Sequence, residues 1–164
     1  MNEKIVFICD SIDNYNFNIQ EFSGFINFIH KKDLITSNID IIYPSSISLD
    51  KLSLDKKIRV SEIFEIGFSS EKYITINSYC KKLNEIIQKI KPMRIFILSS
   101  LAGRSIASWL AAKFNTGSIA DVVDVVKDNQ YNDNHYVYLR STNNDSFLSK
   151  IKVKEFPEII TFRS

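Results

Sequence analysis

A strand, a short polar turn and a helix follow one another within residues 91–126, and this unit limits the folds open to the chain. The apolar run 94–98 predicts a buried strand, residues 99–103 a turn of small residues, and residues 104–114 an amphipathic helix. A loop then leads to a second hydrophobic strand at residues 120–126. A helix N-terminus presents unpaired N–H groups and the positive end of the macrodipole, so the turn is a candidate anion site.

Five residues of this turn can supply hydroxyls, N–H groups and a guanidinium to an anion or a nucleotide phosphate: Ser99, Ser100, Gly103, Arg104 and Ser105. A packing role explains the same residues, because a glycine permits close approach, serines cap helices and an arginine can lie in solvent. An arginine in the first turn opposes the macrodipole by about 0.3 kcal/mol, which is consistent with a partner or anion contact without demanding one. We favour the packing role and keep the anion site as a second hypothesis.

Elsewhere in the chain, strands and helices alternate. Residues 4–9 are typical of a central strand, and Asn18 with Glu21 predicts a capped helix that ends near Lys31. A long amphipathic helix is expected from a cap at Ser69 or Ser70 to Pro92. Further strands are predicted at residues 39–43, 58–66, 136–140, 150–154 and 159–162. Alternating elements followed by consecutive strands indicate an α/β fold, with a mostly parallel sheet and antiparallel edge strands.

Length favours one domain over residues 1–164, and the overall charge points to no class of partner. With 21 basic and 19 acidic residues, the formal net charge of +2 predicts neither nucleic-acid nor membrane binding. No apolar run approaches the roughly 20 residues that span a bilayer. Cys9 and Cys80 lack the spacing of a zinc or redox pair, so we predict buried, reduced thiols in a cytoplasmic protein.

Catalytic and cofactor motifs are not found in the sequence. The four glycines form neither GxGxxG nor a Walker A loop, and no serine lies in a GxSxG elbow. His30 reads as a helix-end charge, and His135 has no neighbour at ligand spacing. The carboxylate pairs Asp10/Asp13 and Asp121/Asp124 are interpreted as loop or strand-end residues. We therefore predict no catalytic residues and no metal site.

The ordered set of segments resembles the N-terminal domain of the electron-transfer flavoprotein alpha subunit. That family shows a helix ending in proline, an apolar strand, a turn with Gly-Arg, an Ala- and Leu-rich helix, a Thr-Gly and an Asp-bearing strand. The matching segments here are Pro92, IFILSS, Gly103-Arg104, IASWLAAKF, Thr116-Gly117 and Ala120-Asp121-Val122. The two ends of the chain also resemble the corresponding ends of the family's domain. Their sequences are KIVFICDSIDNYNFNIQEF and PEIITFRS. The resemblance covers nearly the whole chain and implies a three-layer, Rossmann-like fold of the adenine nucleotide α-hydrolase type.

The same resemblance implies how cofactors and partners are arranged. Family members continue into a second domain that holds FAD, whereas this chain stops at Ser164. The chain is therefore expected to carry no cofactor alone and to meet FAD only through a partner, either a beta-like subunit or a separate flavin-binding chain. The family's beta subunit holds AMP near the equivalent strand-to-helix turn, so AMP is possible here. The expected role is a non-catalytic scaffold in flavin-based electron transfer rather than an enzyme.

Two alternatives remain open from the sequence. One is a nucleotide-binding module of the universal-stress-like group, which would bind AMP or ATP at residues 99–105. The other is a homodimer without redox function, in which two copies imitate the alpha and beta pair. Nucleotide titration separates the first alternative from the scaffold role, and sedimentation tests the second.

Overall fold

Eight strands and three helices make up the fold of the computed structural model, which describes residues 3–12, 17–35, 38–68, 74–128, 136–142 and 147–163. The strands are β1 (Ile5–Ile8), β2 (Ile39–Pro44), β3 (Val60–Ile66), β4 (Arg94–Leu98), β5 (Ser118–Lys127), β6 (Tyr136–Thr142), β7 (Phe147–Ile151) and β8 (Glu158–Phe162). The helices are α1 (Ile19–Lys31), α2 (Ile76–Ile90) and α3 (Leu101–Phe114). None of the helices described is long and apolar enough to cross a membrane.

A single sheet contains all eight strands, in the order β3-β2-β1-β4-β8-β5-β6-β7. The pairs from β3 through β5 are parallel, whereas β6 and β7 join the sheet antiparallel at one edge. The predicted mostly parallel sheet with antiparallel edge strands is therefore confirmed. The last parallel strand, β8, lies between β4 and β5, which are consecutive strands in the chain.

Helices cover both faces of the sheet and give the fold three layers. On the α1 face the core is aromatic: the ring of Phe7 lies 5.3 Å from Phe96 and 5.5 Å from Phe25, and Phe162 completes the cluster. On the opposite face, α2 and α3 bury aliphatic side chains against the sheet. The central strands β1, β4 and β8 are buried along their whole lengths, as expected for strands covered on both faces.

The helix starts agree only partly with the sequence predictions. The Asn18 side chain accepts hydrogen bonds from the N–H groups of Gln20 and Glu21, so the predicted cap of α1 is confirmed. Helix α2 instead begins at Ile76, where Thr75 forms a capping box with Ser78. The predicted caps Ser69 and Ser70 lie outside the described residues. A helix start five or six residues later is possible because the Thr75–Ser78 pair satisfies the unpaired N–H groups of the first turn.

Two further boundaries were predicted wrongly. Helix α3 starts at Leu101 rather than at Arg104, because Ser100 is its cap and accepts from the Gly103 N–H at 2.9 Å. Strand β7 runs from Phe147 to Ile151 rather than over residues 150–154. The alternation of lysine and apolar residues continues past Ile151, but the hydrogen-bonded ladder with β6 ends there.

A buried cluster of charged side chains lies at the amino ends of the central strands. Arg94 is 1% exposed and donates through Nε to Glu158 at 2.7 Å and through Nη1 to Glu3 at 2.8 Å. Tyr138 donates its hydroxyl to Glu158 at 2.5 Å, and the Arg94 guanidinium lies 4.3 Å from the ring centre of Tyr136. Burial alone would lower the pKa of Arg94, but attraction by Glu158 and the other acidic groups outweighs it and raises that pKa. The guanidinium therefore stays charged inside the protein.

Candidate functional site at the carboxyl edge of the sheet

The predicted turn lies at the carboxyl edge of the sheet, where β1 and β4 end side by side. The order of strands reverses between these two, and such a switch point is the usual ligand crevice in open α/β sheets. A cleft of about 130 Å³ opens there. Its lining comes from the loop after β1, the start of α1 and the end of β4: Asp10, Phe17, Asn18, Glu21, Leu98, Ser99 and Ser100. The structure thus places Ser99 and Ser100, two residues of the predicted anion-binding turn, in the lining of this cleft.

Gly103 is required by packing. A Cβ atom at this position would lie 1.9 Å from the Leu98 carbonyl oxygen and 3.2 Å from the Asp10 Cβ. The first turn of α3 therefore lies directly against the end of β4 and the loop after β1. This contact agrees with the packing role that we favoured for Gly103.

Ser100 and Asp10 join the helix start to the neighbouring strand. The Ser100 hydroxyl oxygen caps α3, and the same hydroxyl donates to the Asp10 carboxylate. Asp10 is 9% exposed. Its burial raises the pKa of this carboxyl, although the hydrogen bond from Ser100 acts in the opposite direction. Asp10 is therefore a carboxyl group that binds a proton more readily than an exposed aspartate does.

A second carboxylate, Asp121, reaches the turn from β5. Its backbone has φ 58°, in the left-handed region, within an irregularity of the pairing between β5 and β8. This bulge turns the side chain towards Ser99, whose hydroxyl donates to Asp121 Oδ1. Thr161 adds to the network, since its hydroxyl accepts from the Asp121 N–H at 3.1 Å and lies 3.2 Å from Ser99 Oγ. Three segments of chain, the end of β4, β5 and β8, are thereby linked at one point.

Arg104 and Ser105 are directed to protein groups rather than into the cleft. Arg104 Nη1 lies 3.2 Å from Asp121 Oδ1, in an ion pair whose side chains are 44% and 33% exposed. The Ser105 hydroxyl donates to the Leu101 carbonyl oxygen of its own helix at 3.0 Å. The Ser99 hydrogen bond is the largest cause of the lowered pKa of Asp121, and Arg104 lowers it further.

The electrostatics of this edge disfavour an anion. Asp10 and Glu21 line the cleft, and Asp121 already neutralises Arg104. A phosphate entering here would meet carboxylates and would compete with Asp121 for the guanidinium. The anion site at residues 99–105 stays a prediction, and the contacts of its five residues favour the packing hypothesis.

The other candidate groups of the sequence also have defined surroundings. Cys9 and Cys80 are buried free thiols, as predicted, and burial raises the pKa of Cys80 to about 12. His30 lies in the last turn of α1, where its Nδ1 is buried with no hydrogen-bond partner among the described residues. His135 lies outside those residues. Within the described parts of the chain, no three His, Cys, Asp or Glu side chains are placed to hold a metal ion.

Sequence reasoning missed the two carboxylates that matter at this edge. Asp10 follows directly after a buried strand, and that position alone could have placed it beside Ser99. Asp121 lies 22 positions from Ser99 in the chain, and only the insertion of β8 between β4 and β5 explains their contact. No local pattern in the sequence predicts that β8 lies between β4 and β5.

Comparisons with known proteins agree with the fold. A family model described as "Electron transfer flavoprotein domain" matches residues 69–164. Over 65 residues the chain is 34% identical to the lactate dehydrogenase (NAD(+),ferredoxin) subunit LctC of Acetobacterium woodii. That match covers 40% of this chain and 16% of the relative, so the similarity spans a small part of the longer protein. The resemblance to the electron-transfer flavoprotein alpha subunit is confirmed.

Proposed function

Because the chain belongs to the electron transfer flavoprotein domain family, we propose that it is a subunit of a flavin-based electron-transfer complex. The family match over residues 69–164 is the observation that carries this proposal. The relative in Acetobacterium woodii is itself a subunit of a larger enzyme. The proposed role is a non-catalytic scaffold that positions a flavin-carrying partner.

Contacts at the carboxyl edge support a scaffold rather than a binding site for nucleotides. Three of the predicted ligand groups bond to carboxylates of the protein itself: Ser99 and Arg104 to Asp121, and Ser100 to Asp10. A scaffold gains rigidity from such a network, whereas a phosphate site leaves N–H groups and cations directed towards its ligand. The AMP- or ATP-binding alternative is therefore the weaker proposal.

The cofactor proposal is that the chain alone does not hold FAD. The purified protein should be mixed with FAD, desalted and examined by absorption spectroscopy, with calorimetric titrations of AMP and ATP in parallel. We expect no retained flavin spectrum and no heat of nucleotide binding. A tight, stoichiometric flavin spectrum would overturn the cofactor proposal, and saturable binding of AMP or ATP would favour the nucleotide module instead.

The partner proposal is association with a beta-type electron-transfer flavoprotein subunit. The chain should be coexpressed with the beta-type subunit of the same genome, and the mixture analysed by sedimentation velocity. One copy of each chain in a stable complex is the expected result. The pure chain sedimenting as a dimer that ignores the beta-type subunit would instead support the homodimer.

A further inference from the structure

A cleft of about 740 Å³ lies at the amino edge of the sheet, between α2 and strands β2 and β3. Because α2 connects β3 to β4 across β2 and β1, it leaves the amino-terminal part of β3 without a helix on this face. Of the seven residues of β3, only Ile66 at the carboxyl end is buried. The cleft has the volume of a small-molecule site, about 300–1,000 Å³. Its floor and its α2 wall include Lys4, Asp40, Glu62, Phe64, Ile86 and Lys89.

A bulge places two carboxylates side by side in this cleft. The register pairs Ile39 with Val60 but Asp40 with Glu62, so Ser61 is an extra residue in β3. Without this extra residue, Asp40 would lie opposite Ser61. Both carboxylates line the cleft, and neighbouring like charges repel each other unless a positive charge lies between them.

Asp40 has capacity for a further hydrogen-bond donor. It is 8% exposed, and its Oδ1 accepts from the Glu62 N–H at 3.2 Å. Burial raises the pKa of Asp40, and the Glu62 charge raises it further, whereas that hydrogen bond and the attraction of Lys4 lower it. In the described part of the chain, Asp40 forms no ion pair. Glu3 also lines the cleft, but its carboxylate is bound to Arg94.

The rest of the lining combines apolar surface with lysines. Phe64 and Ile86 are half-buried, and Ile90 is 7% exposed. Lys4 and Lys89 line the cleft and are exposed. A complementary ligand therefore has a positive group for the carboxylates, an apolar body and a negative group for a lysine.

We propose that this cleft binds a zwitterion of dipeptide size. Its ammonium group would lie beside Asp40 and Glu62, and its carboxylate would pair with Lys89. Its apolar side chains would pack on Phe64 and Ile86. A dipeptide fills more of the cleft than a single amino acid does. This site does not depend on the proposed function, because it lies at the opposite edge of the sheet from the Asp121 network.

The probe for this site is the dipeptide Leu-Leu, titrated into the full isotope-labelled chain and followed by two-dimensional NMR. N-acetyl-Leu-Leu lacks the ammonium group, and Leu-Leu amide lacks the carboxylate. We expect Leu-Leu to bind with a Kd below about 1 mM and to shift resonances of β2, β3 and the end of α2. The acetylated dipeptide should bind about tenfold more weakly or worse, and the amide about threefold more weakly, because Lys89 is exposed.

Variants of the cleft test the same contacts from the side of the protein. Asp40→Asn removes the charge but keeps an acceptor for the Glu62 N–H, and it should raise the Kd of Leu-Leu about tenfold or more. Its control is Glu65→Gln, since Glu65 bonds to a tyrosine on β2 and does not line the cleft. Lys89→Met should raise Kd about threefold, and Lys81→Met is its control on the exposed side of α2. Both controls should stay within about twofold.

Folding of each variant is checked by circular dichroism, and Glu62→Gln, which changes an exposed side chain, repeats the charge test on the neighbouring strand. The site is wrong if Leu-Leu causes no saturable shifts, or if Asp40→Asn and Glu62→Gln bind it as tightly as the wild type. The ammonium contact is wrong if N-acetyl-Leu-Leu binds as tightly as Leu-Leu. Equal binding of the amide, together with an unchanged Kd for Lys89→Met, would overturn the zwitterion. None of these results bears on binding to a beta-type subunit, so the proposed function is tested separately.

Discussion

At the scale of single residues, two glycines in helices show opposite physical roles. The Cβ that Gly103 lacks would overlap the Leu98 carbonyl oxygen, whereas a Cβ on Gly24 in α1 would meet no atom within 4 Å. Gly103 was predicted as the last residue of a turn of small residues, and glycine is a poor helix former. Its contact with β4 overrides that preference, which explains why the predicted start of α3 was three residues late.

We expect Gly103→Ala to destabilise the protein by about 3 kcal/mol, because the methyl group collides with backbone that cannot move independently. Gly24→Ala is the control and should stabilise the protein by about 1 kcal/mol, since alanine is the better helix former and its methyl group enters open space. Urea unfolding of both variants measures these differences. Equal effects of the two substitutions would show that the contact with Leu98 does not determine stability.

Asp10 gives a prediction about pH. Because burial raises its pKa in the folded protein above the usual value of 3.8, the folded state binds this proton more tightly than the unfolded state does. The resulting stabilisation is present below pH 3.8 and is lost as the pH rises through the folded pKa.

Asp10→Asn removes this titration. The free energy of unfolding of the variant, relative to that of the wild type, should therefore increase as the pH is raised from about 4 and then become constant. Urea unfolding at several pH values measures the difference, with the exposed Glu85→Gln as a control. If the free energies of unfolding of Asp10→Asn and wild type change in parallel with pH over this range, the raised pKa of Asp10 is refuted.

At the scale of secondary-structure elements, buried and half-buried charges hold the strands in order. Asp121 links the ends of β4, β5 and β8 to α3 at the carboxyl edge. Arg94 links β4 to β8 and to Glu3 at the amino edge. The two networks join the same central strands at opposite ends, and the strand between β4 and β5 is the last one in the chain.

Arg94→Met should destabilise the protein by about 3–5 kcal/mol, since it leaves the Glu158 and Glu3 carboxylates buried without their cation. Lys113→Met is the control, because Lys113 is exposed in the last turn of α3, and it should change stability by less than about 0.5 kcal/mol. Thermal or urea unfolding measures both. A loss below about 1 kcal/mol for Arg94→Met would mean that the buried charges contribute little.

Most elements could be predicted from the sequence, for reasons that are local. The strands β1, β4 and β8 are continuous apolar runs, and Asn18 caps α1 by its own side chain. The contacts at the site could not be predicted, since they depend on which strands become neighbours. Arg94 and Glu158 each begin an apolar run, and their pairing follows only from the register of β4 with β8.

At the scale of the whole molecule, stability should fall from the centre of the sheet towards β7. Strands β1, β4 and β8 are covered by helices on both faces, whereas β7 pairs with β6 alone among the residues that the structure describes. The family assignment and the three-layer fold agree with each other at this scale. The carboxyl edge is tied together internally.

Native-state hydrogen exchange should follow this gradient. Amides of β4 and β8 should exchange only through global unfolding, whereas those of β7 should exchange through local opening and therefore faster. NMR-detected exchange of the free chain measures both classes. Protection of β7 equal to that of β4 would contradict the expected gradient.

The Arg94 cluster also limits how the gene can be shortened. In the sequence, Arg94 is 91 positions from Glu3 and 64 positions from Glu158. This one buried cluster therefore joins residues from near both ends of the chain. An expression fragment that omits either carboxylate would leave the guanidinium inside the protein with half of its counter-charge. Fragments, split reporters and circular permutants of this domain should therefore contain both residue 3 and residue 158 in the same folded unit.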